Sequence, residues 1–284
     1  MRKMIFWMLA TILFGGLMLP SCTNDDNPVG LERQKRVSNV TCYIEDGEGF
    51  LKFTSDNYKY DAQGRIAEIE HFVYDEDDTG FLSQLMTFSY SVSQINMILK
   101  VFSRAADAET VIIDKDLDID ENGRVVKEIT YSYSETESRQ DATICTSLFT
   151  YDEQGHLVRS EYSNGQVNVY EWQNGELSKN INNQDGELFQ VLEYEPSEVP
   201  ADMMLPINFD DMYECLEMEG FFGQRSRFLP ARIKQTANMV VYDQNFTYEM
   251  TDGLVTTWYK TASYLIPVLG VNEIVVFKNT VEWE

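Results

Sequence analysis

The sequence predicts an all-β chain, an antiparallel hairpin-connected sheet that curls into a barrel-like fold, with one short helix inserted near residues 208–219. Three observations predict it. A glycine-centred turn recurs along the chain, apolar and polar residues alternate between the turns, and only one stretch carries helical spacing. With 284 residues, 43% of them hydrophobic, the chain is too apolar to be disordered and long enough for one large β domain.

The first element is a processing segment. Arg2 and Lys3 precede an uncharged apolar stretch from Met4 to Leu19, long enough for a signal sequence and short for a membrane span. It ends in Leu19-Pro20-Ser21-Cys22, which resembles a bacterial lipobox, with Pro20 departing from the small residue usual at that place. Residues 1–21 are accordingly expected to be a lipoprotein signal peptide and Cys22 the lipidated residue. Residues 22–37 then form a polar tether and 38–284 a single β domain. The run Thr23-Asn24-Asp25-Asp26-Asn27-Pro28 resembles the export signal of surface lipoproteins in the Bacteroidetes, which implies the outer membrane and its outer face, with the periplasmic face as the alternative.

The turn comes next. Tyr60-Asp61-Ala62-Gln63-Gly64-Arg65-Ile66 is repeated as Ile119-Asp120-Glu121-Asn122-Gly123-Arg124-Val125 and as Tyr151-Asp152-Glu153-Gln154-Gly155-His156-Leu157. Asp61, Asp120 and Asp152 are placed to cap backbone amides, while Gly64, Gly123 and Gly155 supply the positive φ that closes a hairpin. Shorter versions stand at Asn174-Gly175, Asp185-Gly186 and Asp252-Gly253. Between turns, Met86, Phe88, Tyr90 and Val92 alternate with Thr87, Ser89, Ser91 and Ser93, and Ile129, Tyr131 and Tyr133 with Thr130, Ser132 and Ser134. This is the signature of antiparallel sheet covered on one face, and the chain holds about twelve to fourteen such strands.

The helix follows a proline-punctuated crossover from Glu195-Pro196 to Pro206. Asn208 is a good N-cap, Phe209, Met212, Tyr213 and Leu216 recur at helical spacing, and Gly220 supplies a stop. The segment Phe221-Phe222-Gly223-Gln224-Arg225-Ser226-Arg227-Phe228-Leu229-Pro230 comes after it.

The Tyr-Asp turns look like tyrosine-aspartate repeats of the RHS type. Together with the lipobox, the late FFGQRSRFLPARI segment and a following Asp-Gly hairpin, they resemble a Bacteroidetes family of lipoproteins of unknown function. The resemblance covers about residues 40–284. It implies a porin-like fold and an envelope location, and it brings no catalytic residue with it. A true spanning barrel would need strands with an uninterrupted apolar band. Ile66-Ala67-Glu68-Ile69-Glu70-His71 breaks that band, so a barrel outside the bilayer is expected.

The chemistry is sparse. A formal charge of −25 repels phosphate backbones and excludes nucleic acid as a partner. His71 and His156 are the only histidines, and Cys42, Cys145 and Cys215 show no metal-ligand spacing and allow at most one internal disulfide. Asp114, Asp116, Asp118 and Asp120 fail the EF-hand pattern and read as a solvated edge strand. His156 fills the slot of Arg65 and Arg124 and reads as a solvated repeat position. Arg225, Arg227, Arg232 and Lys234 read as neutralised by the acids of the helix or as an anion site. Trp172 and Trp258 read as core residues or as platforms for sugar rings. No catalytic residue, cofactor or metal is nominated. The expected function is that of a non-catalytic binding or scaffold lipoprotein at the cell surface, attached to the membrane through its anchor, with a glycan or a surface protein as candidate partner. The alternatives are a carboxylate-based glycan hydrolase and a purely structural envelope lipoprotein.

Overall fold

The computed structural model describes residues 35–104, 110–201, 216, 220–237, 240–266 and 271–284. The segment with Cys22, Cys215 and most of the expected helix 208–219 lie outside them. Leu216, within that stretch, is helical and buried.

Sixteen strands follow one another: β1 (Val37–Glu45), β2 (Phe50–Tyr60), β3 (Ile66–Tyr74), β4 (Gly80–Tyr90), β5 (Gln94–Val101), β6 (Val111–Ile119), β7 (Val125–Ser134), β8 (Thr143–Tyr151), β9 (Leu157–Tyr162), β10 (Gln166–Gln173), β11 (Glu176–Gln184), β12 (Glu187–Pro200), β13 (Phe228–Ala237), β14 (Val240–Thr251), β15 (Leu254–Ile266) and β16 (Val271–Trp283). Each pairs antiparallel with its neighbours in sequence, and β16 returns to β1, closing a barrel. The count exceeds twelve to fourteen because strands such as β11, Glu-Leu-Ser-Lys-Asn-Ile-Asn-Asn-Gln, are polar at most positions and carry no apolar alternation. The proline-punctuated segment is not a crossover. Strand β12 runs through Pro196 with a register shift, and β13 pairs back onto it.

Closure also corrects the reading of the acidic strand β6, since a closed barrel leaves it no edge. Asp114 is buried, and both it and Asp116 bind Arg139 and the Asn96 amide.

Sequential hairpins put every even-to-odd turn at one end of the barrel, together with the paired backbones of Arg36 and Glu284. The three full repeats build one turn. The Asp61 carboxylate accepts the amides of Gln63 and Arg65 at 2.9 Å and the Arg65 guanidinium at 2.7 Å. Asp120 holds Asn122 and Arg124 in the same way, and Asp152 holds Gln154 and His156. Gly64, Gly123 and Gly155 lie at φ +84°, +78° and +87°. The short versions differ: both central residues have positive φ, as at Asn174 (+55°) and Gly175 (+77°), which makes them two-residue type I′ hairpins. A further Asp-centred turn, Asp75 to Thr79, sits at the opposite end with Asp78 in the glycine slot at φ +57°.

At the repeat end, the residue that starts or nearly starts each odd-numbered strand forms a buried apolar ring: Val37, Ile66, Ile95, Val125, Leu157, Leu177, Leu229 and Val255. Aromatic side chains clasp the ring from the strands that end there. Tyr60, Tyr90 and Tyr151 donate their hydroxyls to the carbonyls of Val37, Ile66 and Val125 at 2.6–2.7 Å. Trp172 and Trp283 donate their indole N–H groups to Leu157 and Val255. Val92 does not continue the buried face of β4; it stands in the β4–β5 turn, fully exposed.

Segment 220–228 lies across the same end. The Val125 amide bonds Phe221, the Gln224 amide bonds Gly155, and the Leu177 amide bonds the Ser226 hydroxyl. Phe221 stacks on Tyr90 and Phe222 packs edge-on against Phe149.

Candidate binding site in the barrel lumen

Which face of each strand points inward follows from register. Leu117 lies opposite Ile95 and Lys115 opposite Met97, both pairs buried, so the lumenal face of β6 carries Lys115. Glu128 pairs with Leu117 and Thr130 with Lys115, so β7 turns Glu128 and Thr130 inward and Ile129 and Tyr131 outward. The apolar face of β7 thus faces out, the reverse of what its alternation suggests.

Lys115 and Glu128, each 2% exposed, form an ion pair at 3.2 Å inside the barrel. Glu128 also accepts from Thr130. On the wall formed by β2 and β3, His71 Nδ1 meets Asp56 at 2.7 Å. Burial works against charging His71, but the charge of Asp56 and its hydrogen bond outweigh that, and the imidazole pKa is raised.

Along β9, β10 and β11 the lumenal wall is built of amides and hydroxyls. Ser160 faces Asn168, Asn168 faces Asn182, and Tyr170 faces Asn180, which faces Leu192. Tyr170 Oη lies 3.3 Å from both Ser160 Oγ and Asn168 Nδ2. The Oδ1 atoms of Asn180 and Asn182 are buried and have no hydrogen-bond partner. On β16, Asn279 is wholly buried between Cys42 and Trp258 with neither amide atom partnered. Buried polar groups are nearly always paired, so these atoms are the exceptions on this wall.

The charges of these strands point the other way. Arg159, Glu161, Glu171 and Lys179 alternate with the lumenal set and lie on the outer wall. That wall is charged elsewhere too: Lys59, near the end of β2, bridges Glu68 and Glu70, while within the strands Arg232 bridges Asp243 and Glu195, and Glu193 lies between Lys179 and Lys234.

The residues singled out in the sequence fall elsewhere. Asp61, Gly64, Asp120, Gly123, Asp152 and Gly155 are turn residues at the repeat end, and Cys22 lies outside the described residues. His156 is not solvated: it is largely buried, bonded to Asp152 at 3.0 Å and stacked on Trp172 at 4.4 Å. Arg65 and Arg124 lie over Tyr90 and Tyr151 in the same manner. Trp258 is fully buried and Trp172, partly buried, packs against the core, so both are packing residues. Among the late basic residues, Arg227 pairs with Glu176, Arg232 with Asp243 and Glu195, and Lys234 with Glu193, so strand acids neutralise them. Cys42 and Cys145 are free thiols, and burial pushes Cys42 up to about 12, which leaves it inert. Among the described residues no three His, Cys, Asp or Glu side chains gather to hold a metal ion.

The polar lumen escaped the sequence reading because Asn180, Asn182 and Gln184 alternate with Ile181 and Asn183, and nothing in the strand itself says which face is inside. The only available signal was the unusual run of carboxamides.

No family model matches the chain, and no curated protein matches it. Among solved structures, a porin-like protein from Bacteroides uniformis superposes with a TM-score of 0.62 at 12% identity, over 87% of this chain and 98% of its own. A porin-like protein from Bacteroides vulgatus matches with a TM-score of 0.37 at 13% identity, over 88% of this chain and 99% of its own. The first likeness establishes a porin-like fold.

Proposed function

We propose that this chain is a lipoprotein of the bacterial outer membrane, attached through Cys22 and exposed at the cell surface. In this reading the barrel stands outside the bilayer as a non-catalytic binding domain. The observation that carries it is the outer wall. Glu70, Arg232 with Asp243, and Glu193 between Lys179 and Lys234 lie within their strands on the outside. A charged residue on a lipid-facing wall costs up to about 2–4 kcal/mol at the bilayer midplane, so the outer surface suits water. The porin-like fold then serves as a container, and attachment falls to acyl chains.

The test is metabolic labelling of wild type and Cys22→Ala with a fatty-acid analogue, with detergent phase partitioning of a chain that begins at Thr23 and so carries neither leader nor anchor. Label on wild type alone, with the chain from Thr23 moving to the aqueous phase, is the expected result. Equal labelling of wild type and Cys22→Ala removes the anchor. A chain from Thr23 that stays in the detergent phase makes the barrel a spanning one.

A further inference from the structure

We infer that the lumenal face of β9, β10 and β11 binds a neutral polyhydroxylated ligand, the chemistry of an uncharged glycan. This rests on the reading of the barrel as a binding domain and gives that reading a site.

Three features point there. The face presents Ser160, Asn168, Tyr170, Asn180 and Asn182 side by side in register, all amides and hydroxyls. Its hydrogen bonding is incomplete on the protein's side. Asn168 and Ser160 share the Tyr170 hydroxyl, whereas Oδ1 of Asn180, a residue 6% exposed, and Oδ1 of Asn182 are left without donors. An unpaired buried acceptor costs about 1–3 kcal/mol, and two of them two residues apart on one strand face are a poor way to build a core. A ligand hydroxyl both donates and accepts, so it meets a carboxamide in either orientation of the amide.

Charge selects the class. The chain carries a formal charge of −25, yet this face has none, because Arg159, Glu161, Glu171 and Lys179 of the same strands lie on the outer wall. An anionic ligand would find no cation among the five lumenal residues named, and an apolar one would leave the carboxamides unpaired. A chain of sugar hydroxyls satisfies them. Segment 220–228 lies across the repeat end, and Gln166 and Gln184 extend the polar ladder towards the opposite rim.

The experiment applies the full mature chain to a printed array of neutral oligosaccharides beside sialylated and sulfated counterparts, with calorimetry on the hits. Asn180→Leu and Asn182→Ala are compared with Lys179→Ala on the outer face of the same strand, and each variant is checked by thermal denaturation. Wild type should retain neutral oligosaccharides and not the acidic ones. Asn180→Leu and Asn182→Ala should each weaken binding about tenfold or more, the scale of one buried hydrogen bond. Lys179→Ala should bind as wild type. Asn180→Leu should melt no lower than wild type, since it removes an unpaired acceptor; should it fail to fold, Asn182→Ala decides. Retention of acidic oligosaccharides alone overturns the ligand class. Binding that is unchanged in both folded variants overturns the site and leaves the binding reading standing. If wild type retains nothing on the array, the binding reading falls with the site and a scaffold remains.

Discussion

Tyr151 at the end of β8 donates its hydroxyl to the carbonyl of Val125, at the start of β7, over 2.7 Å. The guanidinium of Arg124 lies over the same ring at 4.6 Å and is itself bound to Asp120 at 2.7 Å. Each repeat is thus tied to the next hairpin: the carboxylate fixes the arginine, the arginine lies on the aromatic ring, and the aromatic hydroxyl fastens the apolar ring of the barrel end. His156 and Trp172 perform the step with imidazole and indole.

Tyr151→Phe keeps the ring and removes only the donor. It should destabilise the barrel by about 1–2 kcal/mol. Urea denaturation of the variant beside wild type checks this, and equal midpoints would show that the clasp holds nothing.

Gly223 lies at φ +89°, and a Cβ there would come within 2.2 Å of the Gly155 carbonyl and 2.7 Å of the Tyr151 ring. Gly186 has nearly the same backbone, at φ +84°, with nothing within 4 Å. Alanine at 186 should therefore cost only the left-handed backbone term, roughly 1–2 kcal/mol. Alanine at 223 should cost clearly more, because segment 220–228 has to lift off the repeat turn. The difference between the two denaturation free energies isolates the contact, and a difference of zero refutes it.

Lys115 and Glu128 share a buried ion pair. Lys115→Met alone leaves a carboxylate without its cation and should cost about 3–5 kcal/mol, whereas Lys115→Met with Glu128→Met should recover most of that loss. A double-mutant cycle by chemical denaturation reads the coupling. Additive losses would mean that the two groups are solvated independently.

The His71–Asp56 pair makes stability depend on pH. Folding raises the imidazole pKa above its ordinary 6.5, the charge of Asp56 prevailing over burial. The stabilisation is then complete below 6.5 and is lost as pH rises through the higher folded value. The stability gap between wild type and His71→Gln should be larger in mildly acidic buffer than in alkaline buffer. A gap that grows with pH would reverse the sign and break the assignment.

The hairpins, the Asp-centred turns and the all-β class were legible in the sequence because they are local. A carboxylate two to four residues from the amides it caps, and a glycine of positive φ beside it, need no distant partner to be recognised. Strand count was less legible: β11 is polar throughout much of its length, and its pairing with β10 and β12, not its alternation, makes it a strand. Where the chain turns, and which residues close each turn, is written locally in the residues. Which face of each strand lies inside is a property of the closed wall. Period-2 alternation separates two faces without naming them, and in a barrel with a polar lumen the apolar face of β7 can point outward while Glu128 and Thr130 point in. The same closure removed the edge expected at β6 and turned His156 from a surface position into a packed one. The unpaired amide oxygens of Asn180 and Asn182 follow from that closure too, because burial is a property of the closed wall and not of the strand that carries them.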